Sequence, residues 1–228
     1  MRLTDDIRNY QFSPTPLQSQ QHKTYREYEA LAVLKYSFPE MFSSLHKAEE
    51  PDLQDSAGEI GVEVTWGGSP VNELINSESA KYPHATEENK EKILNRIREH
   101  GGDRIGPITS FPLGTEDADK TNILRAFQNK VQKAEKYKQG FSNIGLVITI
   151  DIPLSIYPDY DWGKELEPYN NNMFNFAILL HMLGVSMYDF RTKEYTNKDI
   201  PKEDWCALRK LSRMTVEGII SDADPTWN

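Results

Sequence analysis

Residues 50–66 read EPDLQDSAGEIGVEVTW, and the pattern within them decides the fold. Ile60, Val62, Val64 and Trp66 alternate with Gly61, Glu63 and Thr65, the period of two that marks a half-buried strand. Ser56-Ala57-Gly58 is a turn signal, and a partner strand is expected over about 50–54. If the hairpin turns at Ala57-Gly58, Asp52 falls opposite Glu63, with Cβ atoms roughly 4.5–5.5 Å apart. Two carboxylates that close repel unless something positive lies between them. A divalent cation with hard oxygen ligands meets that need, and Mg²⁺ suits a site of one or two carboxylates with open water positions. The same spacing also describes an exposed hairpin with acids on its solvent face.

Working outward, a helix is expected over about 24–38, ending near Pro39. At 100° per residue Tyr28, Leu31, Leu34 and Phe38 form an apolar stripe; Glu27 falls inside it and Glu29 nearly opposite. An ionised Glu on a buried stripe is costly unless paired or metal-linked, though in a first turn it can also reach solvent and meet the helix dipole. A second helix is expected over about 121–139, with Ile123, Leu124, Phe127, Val131 and Ala134 as its stripe. Lys130 borders that stripe and Lys133 points further out. Between Lys120 and Lys138, six basic residues (Arg125 and Lys136 among them) face Glu135 alone. Such a run is either a solvated face or a phosphate-attracting wall beside the acidic hairpin. An apolar strand follows over about 144–152.

The remaining segments are less legible. Residues 1–23, broken by Pro14 and Pro16, read as a loosely held arm. Residues 67–118 read as an inserted segment holding one charged helix over about 86–100. From Pro153 the chain shows an aromatic, acidic loop (Tyr157, Tyr160, Trp162), an apolar helix around 174–184 carrying His181, and a mixed α/β end. The loop's rings could stack on bases or pack on their own domain. The order of helix, hairpin, helix and strand reads as an α/β sandwich, with residues 153–228 as an extension of the same domain.

Composition narrows the classes. The chain has 228 residues, 38% hydrophobic and 11% aromatic, too much bulky apolar material for a disordered protein. With 26 Lys and Arg against 35 Asp and Glu, its net charge of −9 argues against a general nucleic-acid coat but leaves room for a nuclease. Cys206 is the one cysteine, which excludes an internal disulfide and a cysteine-based zinc cluster and fits a reducing cytosol. It is expected to be a buried small hydrophobe. No apolar run reaches the roughly 18–20 residues of a membrane span, and the N-terminus carries no apolar signal core, so a cytoplasmic protein is expected. The five histidines show no metal-ligand spacing.

The pair Glu-Pro-Asp-Leu and Gly-Val-Glu-Val-Thr, in this order relative to its helices, resembles the PD-(D/E)XK nuclease superfamily, the restriction-endonuclease-like fold. The resemblance covers roughly residues 24–152. It implies a core of helix, mixed central sheet and helix, and a Mg²⁺-dependent hydrolase of nucleic acid, DNA before RNA, with Mn²⁺ as a substitute. Carried over, Asp52 and Glu63 bind the metal, the Val64 carbonyl is a further ligand, and Glu27 is the assisting acid of the first helix. The family's lysine position is Thr65 here. Some members recruit that lysine from a neighbouring helix, which points to Lys130; Lys133, Lys136 and Arg125 would then contact the nucleic acid. Site-specific cutting of both strands would favour a homodimer. The competing expectation is a non-catalytic acidic protein on a degenerate nuclease fold, docking on a basic partner such as a toxin it neutralises.

Overall fold

The computed structural model describes residues 3–11, 17, 19–105, 108–112, 114–137, 140–150, 152, 154–157 and 159–227. Pro14, Pro16, Lys138, Gln139, Asp151 and Pro153, all within segments read from the sequence, lie outside the described residues. The elements run α1 (Asp5–Asn9), α2 (Ser19–Ser37), α3 (Pro39–Phe42), β1 (Leu45–Lys47), β2 (Leu53–Asp55), β3 (Ile60–Trp66), α4 (Pro70–Lys81) and α5 (Glu87–Glu99). There follow β4 (Asp103–Ile105), β5 (Ile108–Ser110), α6 (Glu116–Ala134), β6 (Asn143–Thr149), α7 (Trp162–Asn170), β7 (Phe176–His181), β8 (Gly184–Asp189), β9 (Glu194–Asp199) and α8 (Lys202–Val216). Seven strands form one mixed sheet in the order β1-β2-β3-β6-β7-β8-β9; β3, β6 and β7 are parallel and the flanking strands antiparallel. The fold is α/β, with helices on both faces of the sheet.

Alternation along the central strands divides the core in two. Val62, Val64, Val147, Phe176, Ile178 and Leu180 face one way and pack with α2 and α8. Ile144, Leu146, Ile148, Ala177 and Leu179 face the other way and pack with α6 and α7. Each Val, Leu, Ile or Phe among them contributes about 1.5–3 kcal/mol by leaving water. Leu146, fully buried beside Glu63 in the β3–β6 register, is one whose truncation to Ala would cost about 2–5 kcal/mol.

Several sequence expectations need correction. The 1–23 segment is not simply an arm, because α1 buries Ile7 and α2 begins at Ser19. The apolar run around 174–184 is strand β7 and its turn, not a helix; a short run buried on both faces carries no period to separate the two. α6 begins five residues earlier than expected, where Thr115 caps Ala118 N–H at 3.2 Å and Glu116, Asp117 and Asp119 favour the N-terminal end of the dipole. The 67–118 segment holds two helices and the β4–β5 hairpin around a small core of Ile75, Ile93 and Ile97. Residues 176–199 complete the central sheet, and α8 covers α2. Because α8 lies there, Glu29 is also buried, paired with Arg209 at 3.0 Å. Cys206, expected inside, is exposed on α8 between buried Trp205 and Ala207. Among the described residues no helix is long and apolar enough to cross a membrane.

Candidate active site

The β2–β3 register sets the site. Leu53 pairs with Val62 and Gln54 with Gly61, so Asp52, just before β2, continues the register opposite Glu63. Gly61 is required here: a Cβ would lie 2.7 Å from Pro51 Cγ and 3.0 Å from Phe141, so only glycine lets Pro51 close over the strand. Past Leu53 the ladder ends, and the Asp52 carboxylate takes its place, accepting the Val64 N–H at 2.8 Å. The N–H and C=O of one strand residue point to the same edge, so the Val64 carbonyl faces the Asp52 side as well.

Glu63 points to the opposite face from Val62 and Val64, beneath α6. Burying an ionised carboxylate costs several kcal/mol unless it is paired. The pairing comes from α6, whose buried stripe of Ile123, Ala126, Phe127, Val131 and Ala134 seats the helix on the sheet. On the border of that stripe, Lys130 donates a hydrogen bond to Glu63 Oε2 and lies 3.6 Å from Asp52 Oδ2. Thr65 lines a recess of about 190 Å³ that Lys130 also lines, so the α6 lysine occupies the surroundings of the strand position that has none.

Glu27 stands apart. It is buried on α2, held by Lys47 at 3.1 Å and by Lys23 at 3.4 Å. Lys23 also lies 3.9 Å from Asp52 Oδ1 and is the link between Glu27 and the other acids. Partial burial works against the Lys23 charge, but Glu27 and Asp52 outweigh it and hold the ammonium above the usual lysine range. Three carboxylates thus face three lysines. Lys23 and Lys47 escaped the sequence reading; the i, i+4 spacing of Lys23 and Glu27 was a usable signal, whereas nothing in the pattern foretold the three-residue β1.

Asp52, Glu63, Lys130, Lys133, Lys136 and Lys23 line a cleft of about 700 Å³. Its basic wall is weaker than the residue count implied. Lys136 is bonded to Glu50 at 2.7 Å, which holds the Glu50 carboxyl below the usual range, and Lys120 is paired with Glu116 at 2.7 Å. Lys133 has no ion-pair partner among the described residues. Arg125, expected at the nucleic-acid face, does not line the cleft: it is 140° around α6 from Lys130 and bonds Asn122. The aromatic loop packs on its own domain, with Tyr160 and Trp162 buried and Tyr157 donating to Asp119 at 2.6 Å.

Among the described residues no three His, Cys, Asp or Glu side chains converge as a metal-ligand set. Glu27, expected as the assisting acid of the first helix, is bonded in this structure to Lys47 and Lys23. Of the carboxylates lining the cleft, Asp52 and Glu63 share the Lys130 ammonium, and two such hard oxygen donors are of the kind that would suit Mg²⁺ with water completing its shell. Comparison with protein-family models, with curated proteins and with solved structures gives no match.

Proposed function

We propose that the chain is a metal-dependent nuclease with a restriction-endonuclease-like core, acting on the phosphodiester bonds of nucleic acid, DNA before RNA, in the cytoplasm. The observation that carries this reading is Lys130: a lysine from α6 reaches the Asp52–Glu63 pair, beside the strand position where Thr65 supplies none. Asp52 and Glu63 would hold Mg²⁺, or Mn²⁺ in its place, with the Val64 carbonyl on the same side. When bound, the ion supplies Lewis-acid polarisation of the phosphate and a lowered pKa for water. Lys130 then turns from Glu63 to the phosphate oxygens and offsets the charge that builds there. Lys133 draws the backbone into the cleft and Lys136 follows on releasing Glu50.

The test is incubation of the purified chain with plasmid, linear duplex, single-stranded DNA and RNA under Mg²⁺, Mn²⁺ and EDTA. Cleavage of at least one substrate that EDTA abolishes supports the reading; no cleavage of any substrate removes it. One observation favours the other reading, a binding protein on a nuclease-like frame: Glu27, Asp52 and Glu63 are already matched by Lys23, Lys47 and Lys130. Millimolar Mg²⁺ raises the melting temperature of a metal enzyme by mass action and leaves that of a pure binding protein unchanged.

A further inference from the structure

We propose that the free edge of β9 is a self-complementary surface through which two copies of this chain join into one continuous sheet. The proposal is independent of the nuclease reading. The sheet ends on one side in the three-residue β1, and on the other in β9, six residues long and exposed at every position. A long, flat, uncovered edge is a template for another strand unless something blunts it.

The backbone dictates which registers are open. Ile200 N–H donates to the Leu183 carbonyl at 2.9 Å, so Leu183 and Ile200 are a hydrogen-bonded pair. Alternation along the antiparallel ladder makes Val185–Lys198, Met187–Thr196 and Asp189–Glu194 hydrogen-bonded pairs too. The backbone groups of Tyr195, Asn197 and Asp199 therefore point away from β8, to the free edge. A twofold-related copy must match these outward residues with one another. The symmetric register centred on Thr196 sets Tyr195 against Asn197 of the partner subunit in hydrogen-bonded pairs.

In that register the charges are opposite in sign. Glu194 meets Lys198 of the partner subunit, twice by symmetry. A register centred between two residues exposes the wrong backbone groups to each other, and those centred on Tyr195 or Asn197 match the outward groups but part Glu194 from Lys198 of the partner subunit. Neither Glu194 nor Lys198 has an ion-pair partner within its own chain among the described residues. Charges placed at random along an exposed edge would blunt it; here one symmetric register turns them into contacts.

Sedimentation equilibrium of the full chain tests the proposal. Wild type is expected to be a dimer at micromolar concentration. Lys198→Glu and Glu194→Lys each set like charges opposite each other twice and should weaken the dimer about tenfold or more. The double variant Glu194→Lys/Lys198→Glu restores opposite charges and should return to near wild-type association, with circular dichroism confirming the fold of all three. In a Cys206→Ser background, Thr196→Cys lies on the twofold axis as a non-hydrogen-bonded pair, with Cα atoms about 4.5 Å apart. It should form an intermolecular disulfide under mild oxidation, whereas Glu203→Cys on α8 should not. A monomeric wild type at all concentrations overturns the proposal, as does a dimer indifferent to both single reversals or a double variant that fails to recover.

Discussion

Glu27 and Glu63 are buried alike, each 3% exposed, yet they sit in different electrostatic settings. Glu27 is held between Lys23, one turn earlier on its own helix, and Lys47 on the edge strand. Glu63 shares a single ammonium, that of Lys130, with Asp52 and opens into the cleft. Two lysines on one acid complete a structural ion cluster. Lys130 is shared by two adjacent acids, with Lys23 3.9 Å from Asp52, and this pair faces a space that a cation and a phosphate can enter. Burial alone therefore does not mark a functional carboxylate; a neighbouring acid and an opening into the cleft do.

The largest expected effect tests that contrast. Glu63→Gln should reduce metal-dependent cleavage by at least about a hundredfold, while Glu27→Gln keeps it within about tenfold, as read from single-turnover rates. Equal losses in the two variants would erase the distinction. Both variants should melt earlier than wild type, since each removes a carboxylate partner from a lysine at a largely buried ion cluster. Relief of carboxylate repulsion would instead raise stability, and the position of Lys130 between the acids argues against it.

Next in size, Lys130→Ala should lower turnover about a hundredfold, and Thr65→Lys in that background should recover part of it, because both positions line one recess. Lys133→Ala is a smaller change: a few-fold weaker nucleic-acid binding and a salt slope reduced by about one, measured from binding isotherms across salt.

The smallest effect lies in the pH dependence of stability. Lys23 has its folded pKa raised above the ordinary 10.5, so its contribution is full below that value and fades as pH climbs through the raised one. The melting-temperature gap between wild type and Lys23→Gln should be constant from neutral pH to about 10 and close above 10.5. A gap that persists at pH 12 would show that Lys23 acts by packing and not by charge.

How much of this was legible depends on periodicity. β3 was readable to the residue because one face is polar and the other apolar, and the hairpin register followed from its turn. Lys130 was readable because α6 carries a clean stripe with the lysine on its border. β7 was not, since both of its faces are buried and the run lacks alternation. α2 was half legible: Glu27 was placed inside, but α8 arrives from more than 160 residues away and buries Glu29 as well. The Lys47–Glu27 pair depends on β1, which at three residues is too short for any pattern.

The central claim is that the Asp52–Glu63–Lys130 cleft hydrolyses phosphodiester bonds with a divalent ion. Its most direct measurement is cleavage of labelled DNA and RNA under Mg²⁺ by wild type and Asp52→Asn, purified identically and matched by circular dichroism. The account predicts product from wild type that EDTA removes, and none from Asp52→Asn. Equal cleavage by both proteins, or none by either on any substrate, would contradict it.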